Sequence, residues 1–302
     1  MERESRSHDA GPYTRRGVAL KKAFNDALAR RTGYHLEKVK QPSGRSKRKL
    51  RSQERLLERP TFILCSVRSG STLLRVLLGS HSKIFTPHEM HLRHIGVTVK
   101  GGPTQKALTE VGLDKDRLQY MLWDRMLHRE LSGSGKKLLV NKTPNDVFIV
   151  DRILEAWPDA RFIFLLRHPG SIARSRLRAR PQDGIEKNAL AVARYCNAVE
   201  AARQSYDGLT VRYEDLAADP AAVTKEICKF LGVPWEERML EYGEFAHGKF
   251  KAGLGDWSPN IKSGRVQPPS PPPALEDVPP ELVDLCRAWG YLEAETPREV
   301  TR

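Results

Sequence analysis

The chain reads as an α/β protein: a parallel sheet, P-loop-like at its first turn, with helices on both faces. Three observations predict this. Short β-rich apolar runs alternate with segments whose leucines recur at helical spacing. A loop of small polar residues stands between the first such run and its helix. The order strand, loop, helix then repeats from about Pro60 onward, the grammar of parallel strands joined by crossover helices.

The elements follow in order. Thr61 to Val67 (TFILCSV) is a buried strand, Ser69 to Thr72 a tight polar loop, and Leu73, Leu74, Leu77 and Leu78 the stripe of the next helix. Lys137 to Val140 is a short strand. Asn145 to Trp157 is helical, and Pro158-Asp159 ends it. Arg161 to Leu166 (RFIFLL) is a strand, followed by a polar loop and a helix. A longer helix runs from about Ile185 to Tyr206, then a strand from Leu209 to Tyr213 and a helix from Pro220 to Leu231. Pro268 to Pro280 is a proline-rich surface loop, and Glu281 to Gly290 a closing helix.

The 302 residues carry a formal charge of +14, unevenly spread. Residues 1–59 hold 17 Lys and Arg against 7 Asp and Glu, so +10 falls on this part. It is expected to be a partly disordered basic arm, with one short helix over Gly17 to Arg31 and a basic linker over Gln41 to Arg51. Residues 60–302 form the second expected domain. The arm is read as a solvated leader. Binding of nucleic acid or an anionic surface is the alternative, and nucleic acid is disfavoured because aromatic residues do not interleave the charges. No apolar run approaches the ~20 residues a bilayer needs. No apolar stretch marks Met1 to Arg16 as a secretory signal. Cys65, Cys196, Cys228 and Cys286 are scattered. A cytoplasmic protein with reduced thiols is the expectation.

Two motifs carry chemistry. In Val67-Arg68-Ser69-Gly70-Ser71-Thr72, backbone N–H groups and a helix N-terminus converge between strand and helix, which makes an anion site. Against GxxxxGK[ST], Gly70 and Thr72 match. Ser71 replaces the Lys and Cys65 the first Gly, so an ordinary Mg-nucleotide P-loop kinase is only the alternative. Arg68 supplies a cation instead. In the second motif, LLRHPGSIARS, a strand delivers Arg167 to its C-terminal end and Ser175 follows in the next helix. Ligands of open α/β sheets bind outside those strand ends, so Arg167 faces the same crevice as the first loop.

Together these motifs resemble those of the sulfotransferase superfamily that uses 3'-phosphoadenosine 5'-phosphosulfate (PAPS). FILCSVRSGSTLLRVLLGSHS is similar to its 5'-phosphosulfate loop, and FIFLLRHPGSIARS to its 3'-phosphate motif with Arg167 and Ser175 in the matching places. VRYEDLAADP, with Tyr213, resembles a segment that commonly follows. The resemblance covers residues 60–266 and is nearest the branch of tyrosylprotein and many bacterial sulfotransferases, which has Arg where Arg68 stands. It implies Glu89 as catalytic base and Lys142, in Asn141-Lys142-Thr143-Pro144, as the residue that neutralises the sulfuryl group. It also implies Arg68, Ser69, Gly70, Ser71 and Thr72 around the 5'-phosphosulfate, and a late basic loop with Lys262, Gly264 and Arg265 over the nucleotide. No metal is required.

The sequence departs from that branch in lacking a secretory anchor and paired cysteines, and in having His88 before Glu89. His88 or His91 is the alternative base. His88, His91 and His94 do not make an HExxH zinc motif, because Leu92 stands at the second His position. Trp257 is read as a packing residue or a stacking surface. The acceptor, a hydroxyl on a glycan, lipid or natural product, is expected to meet loops within residues 86–135 and 178–188.

Overall fold

The computed structural model describes residues 50–245 and 259–292. The helix expected over 17–31, the linker as far as residue 49, and Trp257 lie outside the described residues.

Five strands, β1 (Thr61–Cys65), β2 (Ile84–Phe85), β3 (Leu138–Lys142), β4 (Arg161–Leu166) and β5 (Leu209–Arg212), form one sheet in the order β2-β3-β1-β4-β5. Every pairing is parallel. All five residues of β1 are buried, as a central parallel strand covered on both faces must be. The period of two sorts its side chains. Phe62 and Leu64 join Phe162 and Phe164 of β4 on one face, and Ile63 and Cys65 join Ile163 and Leu165 on the other.

Helices cover each face. The first face takes the long helices. The helix α1 (Ser71–Gly79) packs its leucines on the second, and α2 (Gly102–Glu110) follows at the surface. On the first face lie α3 (Lys115–Ser134), α4 (Val150–Ala156), α5 (Pro169–Ala179) and α6 (Gly184–Ser205). Then come α7 (Tyr213–Ala218) and α8 (Pro220–Leu231) on the second face, α9 (Pro259–Lys262), and α10 (Pro280–Ala288) back on the first. The expected α/β architecture is what the chain adopts.

Three details differ from expectation. Strand β3 runs on through Asn141 and Lys142, beyond its expected end at Val140. Parallel pairing sets Asn141 opposite Phe62 and Lys142 opposite Ile63, so the ladder overrides side-chain character. Residues 144–149 form 3-10 turns before α4 rather than one continuous helix. The span 86–135, expected as loops, contains α2 and the 20-residue α3. Helix α3 opens on Asp114, whose carboxylate accepts from the Arg117 N–H at 2.8 Å, and it ends at Gly135 with φ 68°. Its buried stripe, Tyr120, Trp123 and Leu127, is spaced by three and four residues, and interspersed charges hide it in the sequence.

The segment 50–59 is packed on this body. Leu50 and Leu57 are buried in the first-face core. The backbone N–H groups of Leu56 and Leu57 donate to the Asp124 carboxylate at 2.6 and 3.1 Å, and the Trp157 indole donates to it at 2.7 Å.

From β1 the chain runs first to β2 and β3 on one side, then crosses to β4 and β5 on the other. The C-terminal ends of β1, β3 and β4 therefore flank a topological switch point, where a crevice opens.

Candidate active site

The loop after β1 is built by small residues and two left-handed backbone positions. Ser69 closes it on Ser66, whose carbonyl accepts from the Ser69 hydroxyl at 2.8 Å. Arg68 has φ 70° and Gly70 has φ 85°. Left-handed residues in such a turn bring successive amides to one concavity, an anion nest, and α1 begins immediately after it. Only glycine fits at the second position. A Cβ there would lie 2.2 Å from the Tyr213 ring as well as straining the backbone. Gly70→Ala is therefore expected to destabilise the fold by about 2 kcal/mol or more, read as a lowered denaturation midpoint at unchanged slope.

The two sequence motifs are bonded to each other. Arg167, at the end of β4, donates from Nη1 to the Arg68 carbonyl at 2.9 Å. Arg68 Nε donates to the Ser175 hydroxyl at 3.1 Å. The Arg167 guanidinium lies 4.2 Å from the centre of the Tyr213 ring. Burial pulls its pKa below the ordinary value, yet guanidinium stays charged in proteins. Helix α5 is opened by His168, whose Nδ1 accepts from the Ser171 N–H at 3.4 Å. Burial lowers the His168 pKa, a shift that favours the neutral, accepting ring.

At the end of β3, the Lys142 ammonium pairs with the Glu89 carboxylate, the lysine side chain being only 1% exposed. The other Glu89 oxygen lies 3.7 Å from His91 Nε2. Two buried groups complete this end. Arg75 of α1 has its pKa lowered by burial and raised by the charge of Glu89. Asp146 accepts from Asn141 Nδ2 at 2.7 Å, and burial pushes it up to about 8, so it is mostly uncharged at neutral pH.

These ends enclose a cleft of about 480 Å³. Of the expected residues, Arg68, Gly70, Ser71, Thr72, Glu89, Lys142, Arg167, Ser175, Tyr213 and Arg265 line it. Ser69 lies beneath the loop, fully buried. Lys262 and Gly264 are not part of the lining. The Lys262 side chain is exposed, and Gly264, with φ 71°, lies with its backbone against Gly243. That close glycine pair shapes the turn that brings Arg265 in, and the Arg265 carbonyl accepts from the Tyr242 hydroxyl at 3.0 Å. The lining also includes Arg178, Arg180, Tyr242 and Gln267, which the sequence reading did not single out. A trace of the first two was present in the alternating arginines of ARSRLRAR.

Among the described lining residues six cations, Arg68, Lys142, Arg167, Arg178, Arg180 and Arg265, thus accompany one carboxylate, Glu89. Such a cleft fits a ligand with several anionic groups and holds one group able to accept a proton beside them. Among the described residues no cluster of three His, Cys, Asp or Glu is placed to hold a metal, and no described helix is long and apolar enough to cross a membrane.

A family model described as "Sulfotransferase family" matches residues 60–237. The chain is 24% identical over 206 residues to a protein-tyrosine sulfotransferase of Drosophila melanogaster, covering 62% of this chain and 41% of that protein. It is 31% identical over 125 residues to the nodulation protein NoeE of Sinorhizobium fredii, covering 38% and 30%. The chain spans between about a quarter and just over half of the length of the curated relatives it matches. Among solved structures, the sulfotransferase domain from the curacin biosynthetic pathway superposes with a TM-score of 0.56 at 25% identity, covering 78% of this chain and 99% of that one.

Proposed function

The chain belongs to the sulfotransferase family, and from that premise we propose that it moves a sulfuryl group from PAPS to an acceptor hydroxyl on a glycan, lipid or natural product. The observation that carries this reading is the convergence of the β1 loop, Arg167 with Ser175, and the Lys142–Glu89 pair on one cationic cleft.

On this reading the β1 loop amides with Ser71 and Thr72 hold the 5'-phosphate, and Arg167 and Ser175 hold the 3'-phosphate. Tyr213 braces Gly70 and Arg167 between them. Transfer is an in-line displacement. The acceptor oxygen forms a bond to sulfur as the bond from sulfur to the bridging oxygen breaks, and adenosine 3',5'-bisphosphate leaves. Arg68 and Lys142 offset charge on the sulfuryl and bridging oxygens, and Glu89 takes the acceptor proton. Positioning and charge stabilisation supply the catalysis, as in phosphoryl transfer. Lys262 and Gly264 act on the nucleotide only through the loop that carries Arg265. The four cysteines are free and buried, which supports a reducing, cytoplasmic setting.

Titration calorimetry with adenosine 3',5'-bisphosphate, AMP and Mg-ATP tests the donor. The bisphosphate should bind tightly without metal, and Arg167→Ala should weaken it by about tenfold or more, the worth of a charge-assisted hydrogen bond to phosphate. A preference for Mg-ATP would instead mark the cleft as a kinase site, and no binding at all would remove the donor assignment.

A further inference from the structure

Glu89 stands at one end of a basic, aromatic surface that the donor reading leaves unused. His91 lies 3.7 Å from its carboxylate, and the His94 ring is 6.4 Å from that of His91. His94 meets Asn145 at 3.5 Å, and the Tyr195 hydroxyl donates to the Asn145 side-chain oxygen at 2.6 Å. The Tyr195 ring packs edge-on against Phe148 at 4.8 Å. Two guanidinium groups, Arg93 and Arg194, each lie 4.8 Å from the centre of the Phe148 ring.

The surface returns to the cleft at its other end. The positive charge of Arg176, next to the cleft residue Ser175, acts on Tyr195 together with Arg93 and Arg194. So two arginines stack on Phe148 of one Tyr–Phe pair, and the charge of a third, Arg176 on helix α5, reaches Tyr195. Among the described residues neither Arg93 nor Arg194 forms an ion pair, and the Arg176 Nε is buried with no hydrogen-bond partner. Unsatisfied guanidinium nitrogen at a water-free position is costly. Arginine stacked on an aromatic face, with its fork left open, is the arrangement that receives a carboxylate, phosphate or sulfate.

The geometry points to an anionic acceptor: a hydroxyl compound that presents its hydroxyl to Glu89 and its own anionic group to Arg93, Arg194 and Arg176, its body resting on Phe148 and Tyr195. This rests on the sulfotransferase reading and adds the charge class of the acceptor. It makes the Arg93–Arg194 pair specificity-determining.

The test uses full-length protein saturated with adenosine 3',5'-bisphosphate, so that the donor half is filled. Binding is compared for pairs that differ only in charge: 4-hydroxyphenylacetate against tyrosol, and methyl glucuronide against methyl glucoside. At least one anionic member should bind about tenfold or more tighter than its neutral twin. That preference should vanish in Arg93→Ala/Arg194→Ala, while bisphosphate affinity stays unchanged. Equal binding within both pairs, undetectable binding of all four, or a preference that survives the double substitution overturns the proposal. Loss of bisphosphate binding by the wild-type protein would instead overturn the donor reading on which it stands.

Discussion

Glu89→Gln should lower turnover by about 10²–10⁴-fold, the usual contribution of a general base, while adenosine 3',5'-bisphosphate binds nearly as before. Release of the bisphosphate from PAPS, with an acceptor or with water in its place, measures the first quantity, and calorimetry the second. The split is expected because, among the described lining residues, Glu89 is the only carboxylate, and it lies beside Lys142 rather than at the β4 end, where the 3'-phosphate is assigned. Glutamine keeps the shape and can still accept a hydrogen bond from Lys142. It cannot take a proton at neutral pH. The substitution also removes the counter-charge from an ammonium that is almost fully buried, so thermal stability should fall. Glu89→Gln/Lys142→Met should recover stability, which would show that the stability loss comes from the ammonium left unpaired. Normal turnover in Glu89→Gln would move the base to His88 or His91.

Asp124→Ala should cost about 3 kcal/mol or more of folding stability, read from the shift in denaturation midpoint. One buried carboxylate accepts from the Leu56 and Leu57 backbone amides and from the Trp157 indole. Alanine would leave these three donors without their partner, each worth roughly 1–3 kcal/mol when buried and unsatisfied. Asp124 sits on α3 and is no part of the cleft lining. Bisphosphate affinity of the folded fraction should therefore be unchanged. A loss below about 1 kcal/mol would mean that water replaces the carboxylate and that residues 50–59 are held by their other contacts, buried Leu50 and Leu57 and the Glu54–Arg117 and Arg55–Asp159 ion pairs.

Four of the five described strands were legible because they are short apolar runs, while the two-residue β2 (Ile84–Phe85) is too brief to carry a pattern. The expected helix over Pro220–Leu231 is the one observed, since Asp219 and Gly232 mark its two ends. Helix α3 was not legible. Its buried face is a narrow stripe of Tyr120, Trp123 and Leu127 in a segment otherwise dense with charge. The site was legible at the positions that matched motifs, Arg68, Lys142, Arg167 and Ser175. Arg178 and Arg180 escaped because no pattern fixes where α5 turns off after Ala179. Lys262, Gly264 and Arg265 were implied together by the resemblance as a late basic loop, but the backbone of Gly264 lies against Gly243, and of that loop's basic residues only Arg265 joins the lining. Asp124 could not be found at all, since its role depends on a segment 67 residues away in the chain.

The bonds from Arg167 to the Arg68 carbonyl and from Arg68 to Ser175 give the cleft the property of a caliper. Its two jaws, the nest after β1 and the end of β4, share one residue, Arg68, held at φ 70° in a conformation that a non-glycine side chain seldom takes. A nucleotide filling both jaws fixes that residue from two directions. One lacking the 3'-phosphate leaves a jaw open and the Arg68 guanidinium bonded to Ser175. On the proposed chemistry, the remote phosphate then does more than tighten binding: its interaction energy sets the aim of the cation at the reacting sulfur. Discrimination between adenylyl sulfates with and without that phosphate would appear in the rate of transfer as well as in occupancy.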